Sequence, residues 1–389
     1  MQIGWIDLSQ EDRKDVLDIL EKLGDKGVLD ELGIAPIRNG FSDLFFPGTN
    51  TLQTRAKYFF IIPYICKDME KDPTQYPNYE QELKNREQRA AKILCQQNEK
   101  EIGLIGRDYV DEKEWVVRPP SVFYWAGLRA YGIFTRDESR SNYLRTVKIN
   151  KDKKLIRKYG CKLDNEDVDD LDAGREITGM SFNIPYIPEW EKSLTMKLTK
   201  NEANFLQGQM KEYSDSLLAY LLSKKEEVVL CDDFEAMIGI VKDQNLKYLC
   251  NLAKDFSDFI YIIRIIYNMI IYGEDNEMVV KKWDEVKDDY QKYAEVDLKT
   301  IYDILNIKNT KLIRFLSDAQ IYIREQNTKK LQECIIKREK SLKGDKRAKT
   351  LNPKQYNKEN KWYCGDKLDY RYGVVKVLIN DILEGEKND

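Results

Sequence analysis

The chain has 389 residues, 42% hydrophobic and 34% charged, with a formal net charge of −3. At about one domain per 150 residues this predicts two or three domains, and the balance is too apolar for a disordered chain and too interrupted for a membrane protein. Histidine is absent, which excludes Ser-His-Asp and Cys-His catalysis, a histidine nucleophile and any histidine-ligated metal in one step.

In chain order, Ile3–Ile6 reads as a short strand and Ser9 as the cap of an amphipathic helix carrying Val16, Ile19, Leu20 and Leu23 up to Gly24. The opening residues have no basic stretch followed by an apolar one, which predicts a cytoplasmic location. Between Phe41 and Tyr64, a Pro47-Gly48 turn and Thr51 as cap precede an apolar helix that Pro63 should end or kink. Its first turns hold Gln53, Thr54, Arg55 and Lys57. Free N–H groups beside two cations suit a phosphate, although most such turns simply cap a helix.

Tyr79–Asn98 reads as a polar helix, followed by Ile102–Arg107 and then Arg118–Phe134. In that last block Pro119 and Pro120 stop what precedes, Ser121 can cap, Val122, Trp125 and Leu128 form an apolar stripe, and Gly132 closes the helix before an extended Ile133-Phe134. A short helix, a glycine and a strand in a basic context resemble a winged-helix module; the alternative is an ordinary helix-strand pair packed by its aromatics. Asp164–Asp172 is an acidic loop without calcium-loop spacing, and a domain boundary is placed near Asn165. Residues 1–164 are thus expected to form an α/β domain and 165–389 a helical one.

The second half reads as helical. Thr199 and Glu202 make a capping box ahead of Leu206, Met210, Tyr213, Leu217 and Leu221. Further helices are expected from Asp233, Phe256, Met278 and Asn309, the last running on into a basic stretch, and again through Val374, Val377, Leu378 and Ile382. Phe256–Tyr272 is apolar all round but carries Arg264 and Asn268 and is shorter than a bilayer requires, so it predicts a buried helix. Those two residues share one face, either as a satisfied interhelical contact or as a ligand-facing arginine. Cys66, Cys95, Cys161, Cys231, Cys250, Cys334 and Cys364 form no Cys-x-x-Cys pair and are expected to be core thiols.

Charge is unevenly distributed. Arg118–Lys158 holds eleven basic residues against three acids, and Lys329–Lys361 twelve against four. Each segment is +8, leaving −19 for the rest. This polarity suits a protein that docks a polyanion at one place and repels it elsewhere, while solvated helix faces are the bland alternative. The candidate phosphate contacts are Arg55, Lys57, Arg118, Arg129, Arg136, Arg140, Lys153, Lys154, Lys346 and Arg347.

Several blocks together resemble a bacterial domain-of-unknown-function family, number 6361. They are Ile3–Ser9, Phe41–Phe59, IGLIGRDY with RPPSVFYWAGLRAYGI, Asp255–Asn268 and LDYRYGVVKVLINDILEG. These span nearly the whole chain. The resemblance carries no catalytic residues over; it implies an accessory role in prokaryotic anti-phage defence, beside helicase or nuclease partners.

The expected fold is mainly α with a small α/β part, winged-helix-like in the N-terminal half and helical in the C-terminal half. The expected function is a non-catalytic nucleic-acid-binding accessory subunit, with DNA favoured over RNA and no cofactor, metal or membrane involved. One alternative is a metal-dependent nuclease built from carboxylates and lysine, for which Asp7, Asp43, Glu101 and Asp108 are scattered candidates; another is a protein-binding scaffold. Neither a phosphate-binding GxxxxGK[ST] loop nor a GxGxxG fingerprint occurs, which argues against a self-contained NTP motor or a Rossmann dehydrogenase.

Overall fold

The computed structural model describes residues 30–72, 74–98, 101–159, 181–212, 215–359 and 361–388. The predicted strand Ile3–Ile6, the helix after Ser9, the acidic loop Asp164–Asp172 and the boundary near Asn165 lie outside them. The longer helices are α1 (Ala35–Phe45), α2 (Tyr58–Lys71), α3 (Tyr79–Gln97), α4 (Pro120–Ala130), α5 (Arg140–Tyr159), α6 (Lys200–Lys211), α7 (Gln244–Tyr272), α8 (Glu277–Asp284), α9 (Leu298–Ile304), α10 (Thr310–Arg324), α11 (Thr328–Lys343) and α12 (Tyr372–Glu386). The protein is mainly helical. The expected α/β part and wing find no support: among the described residues the only β pairing is an isolated antiparallel bridge between Phe134 and Phe182.

The described residues divide into two compact units, one of 45–232 with 371–388 and the other of 30–44 with 233–370. In the first, α2 is the central rod, buried continuously from Tyr58 to Lys67. Pro63 does not end it, since α2 runs on to Lys71. Nor does Thr51 start it: 51–57 stays irregular because Tyr124 of α4 takes its backbone, its hydroxyl accepting from Thr54 N (2.8 Å) and Arg55 N (3.0 Å). The predicted capping box is present, with Thr199 and Glu202 bonded reciprocally at the start of α6. Gly385 of α12 permits close packing there, as a Cβ would stand 2.8 Å from that of Leu198 and 2.9 Å from that of Ala203.

Helix α4 begins at Pro120 as its prolines require, but Ser121 does not cap it. Instead the Ser121 backbone N–H and hydroxyl donate to the buried Glu87 of α3, at 2.6 and 3.0 Å. The apolar face also shifts: Trp125 and Leu128 are buried with Tyr124, whereas Val122 is exposed. Beyond Gly132, Phe134 enters an aromatic cluster with Trp125, Tyr143 and Phe182. The ordinary helix followed by an aromatic-packed extension therefore describes this block.

In the second unit α7 starts at Gln244, earlier than expected, capped by the Asp243 side chain. Among the described residues no helix is long and apolar enough to cross a membrane. Arg264 donates to the Asp366 carbonyl, and Asn268 exchanges bonds with the Tyr363 carbonyl (3.1 Å) and N–H (3.0 Å); both make interior contacts. The helix expected from Asn309 does not run into the basic stretch. It ends at Arg324 because Gln326 adopts φ +53° and Asn327 caps a new helix, α11. Of the cysteines, Cys66 and Cys250 are buried, while Cys95, Cys231, Cys334 and Cys364 are partly exposed; Cys161 lies outside the described residues.

Candidate nucleic-acid interface

The turn before α2 offered a phosphate site or an ordinary helix start, and its cations are already committed. Arg55 Nε lies 3.0 Å from both carboxylate oxygens of Asp381, and its guanidinium also pairs with Glu101. Asp381 Oδ2 in turn accepts from Ala56 N at 2.8 Å. The anion at this helix start is therefore the protein's own carboxylate, placed where a helix N-terminus favours negative charge. Burial pushes the Asp381 carboxyl up, against the hydrogen bond from Arg55. Lys57 is buried and donates to Glu202 at 2.8 and 2.7 Å. Lys57 is closed to a ligand, which corrects its assignment as a phosphate contact, and the partly exposed Arg55 is already held by two carboxylates.

Further along the same unit, the end of α4 opens into a depression of about 660 Å³. Ala126, Ala130, Gly132 and Phe134 form its smooth part; Arg129, Thr135, Arg136 and Asp137 supply polar atoms. Arg129 sits in the last turn of α4, where a cation offsets the exposed carbonyls, and pairs with the strongly exposed Asp137. Exposed pairs of this kind contribute only about 0–1 kcal/mol, so a phosphate can take the place of Asp137 at little cost. Arg136 is held at 2.8 Å from Glu138.

The other candidates separate by environment. Arg140 is mostly buried against Glu80 and serves the fold. Arg118 is half-buried and has no ion pair among the described residues. Lys153 and Lys154 lie on α5, but their side chains lie outside the described ones. On that helix, Arg145 and Lys148 stand three residues apart and are both exposed, a pair missed because the basic run was read as composition rather than by helical face. In the second unit Lys346 and Arg347 are exposed, whereas Lys343 and Lys349 pair with Glu31, and Arg338 donates to the Leu32 carbonyl at 2.8 Å.

A family model matches residues 1–313. The chain belongs to DUF6361, a family of unknown function. The block LDYRYGVVKVLINDILEG and the basic segment Lys329–Lys361 lie beyond the matched residues. No curated protein and no solved structure matches it. Among the described residues of this DUF6361 chain no three His, Cys, Asp or Glu side chains are grouped to hold a metal ion. Glu101 is paired with Arg55, Asp43 and Asp108 are exposed, and Asp7 lies outside the described residues.

Proposed function

We propose that this protein binds nucleic acid through phosphate contacts on the first unit, at the end of α4 and the exposed face of α5. The observation that carries this reading is the depression holding Arg129 and Arg136, on a segment that also exposes Arg145 and Lys148. Phosphate contacts position a nucleic acid without reading its sequence, and they need no wing, so the reading stands without a winged helix. Lys346 and Arg347 are a second, weaker contact. We assign the chain an accessory role in anti-phage defence, beside a helicase or nuclease, on the resemblance alone; DNA is the favoured polymer.

Fluorescence anisotropy with labelled duplex DNA, single-stranded DNA and RNA tests this. Affinity should fall with salt, with a log-log slope of roughly 0.9 per duplex phosphate contacted. Arg129→Glu with Lys148→Glu should weaken binding at least tenfold while melting stays near that of the parent, since exposed substitutions usually change stability by under about 0.5 kcal/mol. No binding at about 50 mM salt, where basic surfaces hold nucleic acid, would sink the reading. Labelled DNA and RNA incubated with the chain and Mg²⁺ or Mn²⁺ should stay intact; cutting that co-elutes with the chain would promote the nuclease alternative.

A further inference from the structure

The depression at the end of α4 has two kinds of lining. Ala126 and Ala130, spaced i,i+4 on one face of α4, and Gly132 carry nothing beyond a Cβ, so this part is a floor without polar side chains. The segment after the helix is pinned in place. Gly132 N donates to the Arg129 carbonyl at 3.1 Å, Phe134 N to that of Leu128 at 2.8 Å and Thr135 N to that of Ser181 at 3.1 Å, while the Ile133 carbonyl accepts from Asn183 N at 2.8 Å. A ligand therefore meets a preformed surface, at little ordering cost.

The cations of the lining keep unused donors. Arg136 stands 2.8 Å from Glu138, which is outside the lining, yet its Nη1 is buried with no acceptor among the described residues, and Glu138 Oε1 takes no hydrogen bond. A buried donor without an acceptor is costly, and an oxyanion in the depression would supply one. Arg129 is paired with Asp137, a carboxylate 92% exposed. Formal charge is balanced here, Arg129 and Arg136 against Asp137 and Glu138, so selection comes from exchange rather than from net charge. An internal phosphodiester brings one negative charge and only equals the Asp137 it displaces. A phosphomonoester brings about −1.5 to −2 at pH 7 and three acceptor oxygens, enough to engage both guanidinium forks. Size points the same way: at about 660 Å³ the depression falls within the roughly 300–1,000 Å³ of small-ligand sites, which suits one nucleotide and not a duplex.

We propose that this depression binds a nucleoside phosphomonoester, and that its source is the phosphorylated end of a nucleic-acid strand. The phosphate lies on Arg129 and Arg136, and the flat face of the base against Ala126, Ala130 and Gly132. The proposal rests on the nucleic-acid reading above and adds what that site takes, an end rather than a length of backbone. The floor has no side chain to read a base edge, so the identity of the terminal base should matter little.

The probes are labelled single strands identical but for a phosphate or a hydroxyl at the 5′ end, and a second pair differing at the 3′ end. Free deoxyadenosine monophosphate and inorganic phosphate serve as competitors, all with the full chain. A phosphorylated end should bind at least tenfold tighter than its hydroxyl counterpart. That ratio should grow between about pH 5 and pH 7, as the monoester loses its second proton near pH 6 while arginine stays charged. Ala126→Leu fills the floor without changing charge, and Arg136→Lys keeps the charge but not the fork; each should bring the ratio toward one, with unaltered melting curves showing that the variant is folded. Equal binding of both ends at every pH would overturn the proposal and leave the nucleic-acid reading standing. Competition by inorganic phosphate as strong as by the nucleotide would also overturn it, because the floor would take no part. Binding of deoxyadenosine monophosphate by a chain that binds no strand would overturn the nucleic-acid reading and the strand end with it, leaving free nucleotide as the occupant.

Discussion

Replacing Glu87 by Gln should change how stability depends on pH. Glu87 is buried between α3 and α4 beside an internal space of about 10 Å³ bordered by Tyr58, Leu94, Trp115 and Pro120. Burial raises its carboxyl from 4.5 to about 7, against the two hydrogen bonds from Ser121 and weaker attraction from Arg140 and Lys84. The folded chain therefore binds more protons than the unfolded one between those two pH values. Stability is full below about pH 4.5, falls as pH rises to about 7, and is level above. At 1.36 kcal/mol per tenfold, that loss is about 3 kcal/mol, or on the order of 10 °C in melting temperature for a unit of this size. Glutamine keeps the acceptor for Ser121 N–H and carries no charge. Glu87→Gln should thus melt near the parent at pH 5 and well above it at pH 8. Other groups titrating in that window, including Lys343, which burial pushes down to about 7, are common to both proteins and cancel in the difference. A difference in melting temperature that is the same at pH 5 and pH 8 would refute the reasoning.

Removing one member of the buried Lys57–Glu202 pair, as in Lys57→Met, should cost about 3–5 kcal/mol in a denaturant titration, because the remaining charge has nowhere to go. Lys57→Met combined with Glu202→Leu should cost less than the sum of the single changes, as expected for coupled neighbours. Gly127→Ala should destabilise by about 1–3 kcal/mol, since the added Cβ would lie 2.6 Å from the Gly48 carbonyl oxygen and 2.8 Å from the Phe59 ring. Gly208→Ala in α6, where nothing lies within 4 Å of the new Cβ, should stabilise by up to about 1 kcal/mol. Arg140→Glu should lower the melting temperature by facing Glu80 with a like charge, at roughly 1–2 kcal/mol, whereas Arg129→Glu, at a more exposed pair, should lower it less, by under about 1 kcal/mol.

What the sequence determined by itself lies within a few residues along the chain. The Thr199–Glu202 box, the proline start of α4, the apolar run of α7 and the exclusion of imidazole chemistry all follow from residue type and short spacing, because helix caps and faces are set at i+3 and i+4. Only the tertiary structure decided where charges and hydroxyls end. Arg55 looked like a phosphate ligand, but its carboxylate, Asp381, comes from 326 residues away; Ser121 looked like a cap, but Glu87 of another helix takes its N–H. The wing failed for the same reason: Phe134 is extended, yet its neighbours are aromatic side chains and one bridging residue rather than a strand. Local pattern states what a side chain can bond, and the packing of distant segments determines which partner reaches it first.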